Sequence, residues 1–252
     1  MGFANKVVLV TGSGAGIGRA AALAFSKQGA HVVVNSQSPS TGAESKGLIE
    51  AAGGRAHFVQ GDISSEQQAC NLVDETLRVF GRLDILVNNA GIVLPGRVDN
   101  MSEDDWDRTF AVNVKGTFLV SRAAIAAMRQ TGGGVIVHIS SVAAEKGLLD
   151  RAAYSASKGA VLSLTRAMAR DHLADNIRVN CVCPGTVMTP SLEKRLQAFP
   201  DPQKAHAEFV ARQPMGRLGT VDEIASAILF AASEEAAFMN GETISISGGM
   251  TI

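Results

Sequence analysis

Seven short apolar runs, rich in β-branched residues, recur along the 252-residue chain at 7–10, 31–34, 57–60, 85–87, 135–139, 178–182 and 242–245. Most are continuously apolar, the pattern of strands covered on both faces. Helical spacing fills the stretches between them. Ala20, Leu23, Ala24 and Phe25 share one helical face, and 66–80 reads as a second helix. The acidic run Ser102-Glu103-Asp104-Asp105 opens a long third, as an N-terminal dipole favours, and 153–173 reads as another. Strand–helix–strand alternation leaves a parallel sheet wound by right-handed crossovers. The expectation is a single-domain α/β Rossmann fold over residues 1–252, a doubly wound seven-stranded parallel sheet with helices on both faces. A hydrophobic content of 46% suits one substantial core.

One region breaks the alternation. Residues 184–215 hold Pro184, Pro190, Pro200, Pro202 and Pro214. They follow the sixth strand at the carboxyl edge, where open α/β sheets bind ligands. Long loops in such places act as lids or binding loops. The expectation is a partly helical substrate flap, not an interdomain linker.

After the first run comes Thr11-Gly12-Ser13-Gly14-Ala15-Gly16-Ile17-Gly18, then a helix. Glycines permit a tight turn and bring backbone N–H groups to a pyrophosphate at the helix N-terminus. Such a turn alone is an ordinary flexible loop; the strand before it and the helix after it point to a dinucleotide. No Gly-Lys-Ser/Thr follows, which argues against a nucleoside-triphosphate loop. The second run ends at Asn35-Ser36-Gln37-Ser38, where a carboxylate normally holds the ribose of NAD. Its absence tips the NAD(P) expectation toward NADP. No arginine or lysine stands there to pair with a 2′-phosphate, although Ser36 and Ser38 can donate hydrogen bonds.

The chain has one tyrosine, Tyr154, with Lys158 four residues on and Ser140-Ser141 upstream. Positions i and i+4 share a helix face. A free phenol titrates near ~10, and a neighbouring cation favours its anion. Tyr154 is therefore a candidate acid–base group, and Ser141 a candidate donor to a substrate oxygen. A serine pair at a strand end is ordinarily a turn or cap, and Tyr-x-x-x-Lys arises by chance. Their weight comes from standing together behind a nucleotide turn.

Other classes recede. The net charge is −1 with no basic run, so no nucleic-acid partner is expected. Cys70, Cys181 and Cys183 are an odd set without a ligand cluster, so neither a disulfide framework nor a metal is expected. Residues 1–6 carry no basic n-region or long apolar h-region, and no uninterrupted apolar run reaches the ~20 residues of a membrane helix. A cytoplasmic protein without membrane attachment is the expectation. His57 and His138 fall in strands and read as structural, and Trp106 reads as a packing residue.

Together these motifs resemble the short-chain dehydrogenase/reductase family. Thr-Gly-x-x-x-Gly-x-Gly stands at 11–18, Asn88-Asn89-Ala90-Gly91 follows the fourth strand, and Asn113 lies in Phe110-Ala111-Val112-Asn113-Val114. Ser141, Tyr154 and Lys158 have the family spacing; Pro184-Gly185, Thr189 and Ser247-Gly248-Gly249 complete the order over essentially the whole chain. The resemblance implies that Asn113, Ser141, Tyr154 and Lys158 are catalytic, with Lys158 also on the nicotinamide ribose and Asn113 supporting a water-linked proton path. It implies dinucleotide contacts from Gly12, Ser13, Gly14, Gly16, Ile17 and Gly18 in the turn. Further contacts would come from Ser36, Asp62 and Ile63, with Asp62 accepting from the adenine amino group, and from Asn89, Ala90 and Gly91. Tyr154, Lys158, Pro184, Gly185, Val187 and Thr189 would complete the set. A homotetramer or homodimer packing through 102–130 and 153–173 is implied too. The departures concern the cofactor: Ala15 stands where many NADP-using members carry a basic residue, and Ser36 where many NAD-using members carry aspartate.

Arg151 lies three residues before Tyr154, and Arg195 and Arg212 lie in the flap. Guanidinium groups clamp carboxylates in bidentate fashion. Residues 183–192 resemble the branch with sugar-acid and hydroxybutyrate dehydrogenases, in which these three match arginines near the substrate carboxylate. Exposed arginines also make surface ion pairs of little worth, so both readings stand. Glu145 can meet substrate hydroxyls or pair with Arg151. The expected function is NAD(P)-dependent hydride transfer to or from a small secondary alcohol or ketone: a sugar, sugar acid or hydroxy acid. One alternative is a reductase of 3-oxoacyl thioesters, which needs a basic docking surface near Arg122 and Arg166. Another is a non-catalytic nucleotide-binding regulator on the same scaffold.

Overall fold

In the computed structural model, which describes residues 2–252, all seven apolar runs are strands of one parallel sheet. They are β1 Val7–Val10, β2 His31–Ser36, β3 Arg55–Gln60, β4 Ile85–Asn88, β5 Gly134–Ile139, β6 Ile177–Pro184 and β7 Thr243–Ile246. The order is β3-β2-β1-β4-β5-β6-β7. Register puts Val8, Leu9 and Val10 beside Val32, Val33 and Val34 on one side, and beside Ile85, Leu86 and Val87 on the other.

Successive strand residues face opposite ways, so each apolar run feeds two cores. Val8, Val10, Val32 and Val34 pack with Phe25 of α1 (Gly16–Lys27) and with Ile224 and Ile228 of α9 (Val221–Ala232). Leu9, Val33, Leu86 and Ile136 pack with Leu72 of α3 (Glu66–Phe80) and with Val120 and Met128 of α5 (Thr117–Gln130). α6 (Ala152–Asp171) shares that second face. From β1 the chain winds outward to β3 and then returns to β4 on the other side of β1. The carboxyl ends of β1 and β4 therefore part at a topological switch point.

Two details differ from the reading by apolar spacing. Pro39–Ala51 forms a helix, α2, capped by Ser38 with Pro39 in its first turn. Gly42 and Gly47 and several hydroxyl residues erase its apolar stripe; the Ser-Pro pair is its signal. The long helix after Ser102 is α4 (Glu103–Phe110), a π-helical turn at Ala111–Gly116, then α5. Residues 184–215 contain α7 (Pro190–Gln197) and α8 (Pro202–Ala211), capped by Thr189 and Asp201. Leu192, Leu196, Ala205 and Leu218 give this flap a small core of its own.

Among the described residues one helix, Glu103–Gln130, is long and apolar enough to cross a membrane, and half of its most apolar window is buried inside the protein. Trp106 stacks on Phe110 at 4.8 Å and stays partly exposed. His138 is buried between Thr165 Oγ1 at 3.0 Å and Ser121 Oγ at 3.4 Å. Burial and the charge of Lys158 pull it down to about 3, so it is neutral.

Candidate active site

Two adjoining cavities open at the carboxyl ends of the strands. One, of about 460 Å³, runs along the glycine turn to Ser36 and Ile63. The other, of about 480 Å³, holds Ser141, Tyr154 and Lys158. Ile17, Asn89, Gly91 and Thr189 line both.

The glycine turn is fastened from behind. Asn89 Nδ2 donates to Thr11 O at 3.0 Å and Gly12 O at 3.1 Å, and the Asn89 and Ala90 amides donate to Thr11 Oγ1. Gly12 N donates to Asn35 Oδ1 at 3.1 Å. Gly12 has φ of 62°, and a Cβ there would lie 2.8 Å from Ala90 Cα, so no other residue fits. No side chain caps the first turn of α1, which leaves its N–H groups to an anion. The glycine cradle, this helix end and the adjoining cavities fit a dinucleotide.

The implied contacts divide on this geometry. Gly12, Gly14, Gly16, Ile17, Ser36, Ile63, Ala90 and Gly91 line the nucleotide cavity. Pro184, Gly185, Val187 and Thr189 line the other. Ser13, Gly18 and Asp62 line neither. Ser13 is buried and spends its hydroxyl on Val10 O at 2.7 Å. Gly18 sits behind the turn, where a Cβ would strike Asn89. Asp62 accepts from the amide and hydroxyl of Ser64 at 2.8 and 2.7 Å. Asn35 and Thr41, which spacing does not mark, line the nucleotide cavity as well. Ser36 Oγ lies 3.0 Å from Thr41 Oγ1, and the Ser38 amide donates to it.

Ser141 follows β5 and caps a short turn by accepting from Ala143 N at 3.1 Å. Tyr154 and Lys158 lie one turn apart on α6. Ser140 Oγ donates to Lys158 O at 2.8 Å, fixing α6 to the end of β5. Asn113 Oδ1 accepts from Ile92 N at 2.8 Å, and its Nδ2 donates to Ile92 O and Ser157 Oγ, both at 3.0 Å. It thereby ties the loop after β4 to α6. A Cβ at Gly91 would meet Asn113 Oδ1 at 3.2 Å and Lys158 Nζ at 3.4 Å.

Lys158 Nζ donates to Ile139 O at 2.8 Å and lies 5.8 Å from the Tyr154 ring centre. Burial raises the Tyr154 phenol above its ordinary value, opposed by hydrogen bonding with Ser141 and by the charges of Arg195 and Arg151. In the ligand-free protein burial outweighs these opposing effects, and one of the three Lys158 N–H donors is held by the carbonyl. Burial also pulls Lys158 down to about 8.

That depression has a consequence for stability. Below about pH 8 the amine is charged in both folded and unfolded chains, and the full burial cost is present. Between that value and ~10.4 the unfolded chain binds more protons, so stability rises with pH. Lys158→Met should therefore stabilise the fold near pH 7 by roughly 1–3 kcal/mol, the upper figure from the shift and the lower after the lost hydrogen bond. Denaturant unfolding near pH 7 and near pH 10 checks this: the advantage should shrink at the higher pH, and one that grew would contradict the burial cost.

Arg151, Arg195 and Arg212 line the cavity with Tyr154. Arg195 Nε is buried without a partner. Burial lowers Arg195, and the Arg151 charge lowers it further; burial and the Arg212 charge lower Arg151 likewise. Arg212 stacks on Phe209 at 4.5 Å. Among the described residues, the arginine ion pairs are made by Arg19, Arg78, Arg82, Arg97, Arg122, Arg129 and Arg217, not by these three. Among the described residues Glu145 does not pair with Arg151: it accepts from Ser245 Oγ at 2.8 and 3.0 Å. Among the described residues no cluster of His, Cys, Asp or Glu is placed to hold a metal.

Residues 12–251 match the family model described as enoyl-(acyl carrier protein) reductase. An uncharacterized oxidoreductase of Thermotoga maritima is 49% identical over 251 residues, covering 100% of this chain and 99% of the relative. Dehydrogenase/reductase SDR family member 6 of Danio rerio is 40% identical, covering 97% of each chain. The 2-(S)-hydroxypropyl-CoM dehydrogenase 3 of Xanthobacter autotrophicus is 39% identical, covering 98% of this chain and 97% of its own.

Proposed function

The chain belongs to the short-chain dehydrogenase/reductase family, and from that premise we propose that it is an NAD(P)-dependent oxidoreductase of a small secondary alcohol or ketone bearing a carboxylate, a sugar acid or hydroxy acid. The observation that carries this reading is one cavity lined by Ser141, Tyr154 and Lys158 together with three arginines that make no ion pair among the described residues. The hydroxypropyl-CoM relative is named for a secondary alcohol, which supports the reaction class.

The glycine turn and the N-terminus of α1 would hold the pyrophosphate, with Thr189 and Lys158 at the nicotinamide end. When bound, the nicotinamide accepts or supplies the hydride at the carbinol carbon. Tyr154 takes the hydroxyl proton in oxidation and returns it in reduction. Ser141 donates to the substrate oxygen as charge develops there. Lys158 keeps a positive charge near the phenol at neutral pH, and a second cation beside Tyr154 offsets the burial that raises it. Arg151, Arg195 and Arg212 hold the substrate carboxylate and so place its alcohol at the tyrosine.

For the cofactor we favour NADP, because Ser36 and Thr41 offer hydroxyls and no carboxylate. Ser36→Asp should shift the ratio of NADPH to NADH affinity toward NADH by at least about tenfold, since like charges repel and a carboxylate accepts from ribose hydroxyls. Fluorescence titration with both reduced dinucleotides reads this directly; an unchanged ratio would remove Ser36 from the discrimination.

The thioester-reductase reading is weaker. Its basic docking surface would include Arg122 and Arg166; Arg166 is exposed, while Arg122 is paired with Glu66 and stacked over Phe118. The exposed rings of Trp106 and Phe118 suit burial against a second copy. We take the working form to be a homotetramer or homodimer in the cytoplasm. The deciding experiment is a panel of secondary alcohols, sugar acids and hydroxy acids run with both cofactors, following absorbance of the reduced nicotinamide. Tight dinucleotide binding with no turnover across the panel would favour a regulator instead.

A further inference from the structure

Beyond β7 the chain turns back toward the flap at Ser247-Gly248-Gly249. Gly248 and Gly249 hold φ of 60° and 87°, a region that L side chains rarely adopt. A Cβ at Gly249 would lie 3.0 Å from the Pro214 ring. The turn delivers Met250 to the wall of the cavity that holds Tyr154, where it is only 3% exposed.

Two other segments hold it there. Lys146, in the loop after Ser141, donates its Nζ to Met250 O at 3.0 Å. From the start of the flap, the Thr186 hydroxyl points at the Met250 sulfur at 3.8 Å while accepting from Gln213 Nε2 at 2.9 Å. Met215 N donates to Gly248 O at 3.1 Å. The catalytic loop therefore holds the Met250 backbone, the flap reaches its sulfur and the preceding glycine, and the side chain so placed is unbranched and adapts to irregular apolar shapes.

We infer that Met250 is a specificity-determining residue, an apolar stop that limits the carbon skeleton the cavity accepts, and that Lys146 is the residue that positions it. This rests on the cavity being the substrate site. One methylene more or less in an apolar pocket changes kcat/KM by roughly 10–200-fold, so a stop of this kind leaves a clear signature in a homologous series.

The test measures kcat/KM for straight-chain 2-alkanols and 3-hydroxy acids of increasing length in the parent, Met250→Ala, Met250→Leu, Lys146→Ala and Lys146→Arg, with a melting curve for each. Met250→Ala should raise the long-to-short ratio of kcat/KM by about tenfold. Met250→Leu, which keeps the bulk, should hold the parent profile. Lys146→Ala should move the profile the same way, mainly through KM, and Lys146→Arg should restore it. If the parent is active but Met250→Ala and Lys146→Ala lower every homologue equally, Met250 is packing alone and the inference falls. Should Met250→Ala fail to fold, the Leu and Lys146 variants decide it by the same profiles. A parent that turns over nothing in the series or in the wider panel overturns the substrate-site reading itself, and the inference with it.

Discussion

Tyr154→Phe should lower turnover by about a thousandfold while leaving dinucleotide affinity within a few-fold of the parent. The substitution removes one hydroxyl and keeps the ring over which Lys158 lies. The hydrogen bonds that fasten the glycine turn, through Thr11, Asn35 and Asn89, do not involve that hydroxyl. The phenol is raised by burial and therefore neutral in the ligand-free protein, so its loss costs the fold about 1 kcal/mol at most. Steady-state kinetics, a dinucleotide titration and a melting curve separate these effects. Activity within about tenfold of the parent, roughly 1.4 kcal/mol of barrier, would sink Tyr154 as the proton donor and acceptor.

Parts of this site were legible in the sequence because their physics is local. Continuous apolar runs report strands buried on both faces, and all seven are in the sheet. The glycine turn was readable since strand, turn and helix are contiguous. Tyr154 and Lys158 share a helix face by spacing alone. What stayed hidden depends on contacts between distant segments. Spacing says that Lys158 is near Tyr154, but not that its amine donates to Ile139 O. It marks Ser13 and Gly18 as parts of a nucleotide motif, while the fold uses them to brace the turn from behind. Met250 carries no signal at all, because its place follows from two glycines and from a lysine 104 positions earlier. Helix α2 is silent for a different reason: apart from Ile49 its buried face is Gly42 and Ser45, too sparse for an apolar stripe, so its cap is its main signal.

The arginines show where sequence stops and burial takes over. As residues in a row, Arg151, Arg195 and Arg212 fit a substrate clamp or a solvated surface equally well. The structure places all three on one cavity wall, with Arg195 Nε buried and unpartnered and the charges of Arg151 and Arg195 opposing each other. A half-buried guanidinium with one N–H unpartnered and a like charge beside it is costly to a fold, and a ligand carboxylate relieves that cost. Arg195→Ala should therefore lower kcat/KM for a hydroxy acid or sugar acid by about a hundredfold, the scale of a charged hydrogen bond lost. The neutral alcohol of the same skeleton should lose less than about threefold, because it never used the charge. Arg195→Lys should recover only part of the loss, since an ammonium keeps the charge but lacks the planar fork. The ligand-free variant should melt no lower than the parent, because a repulsion has been removed and no ion pair lost. Equal losses on acid and neutral substrate would return Arg195 to a structural role and leave Tyr154 with a reaction but no charged handle on its substrate.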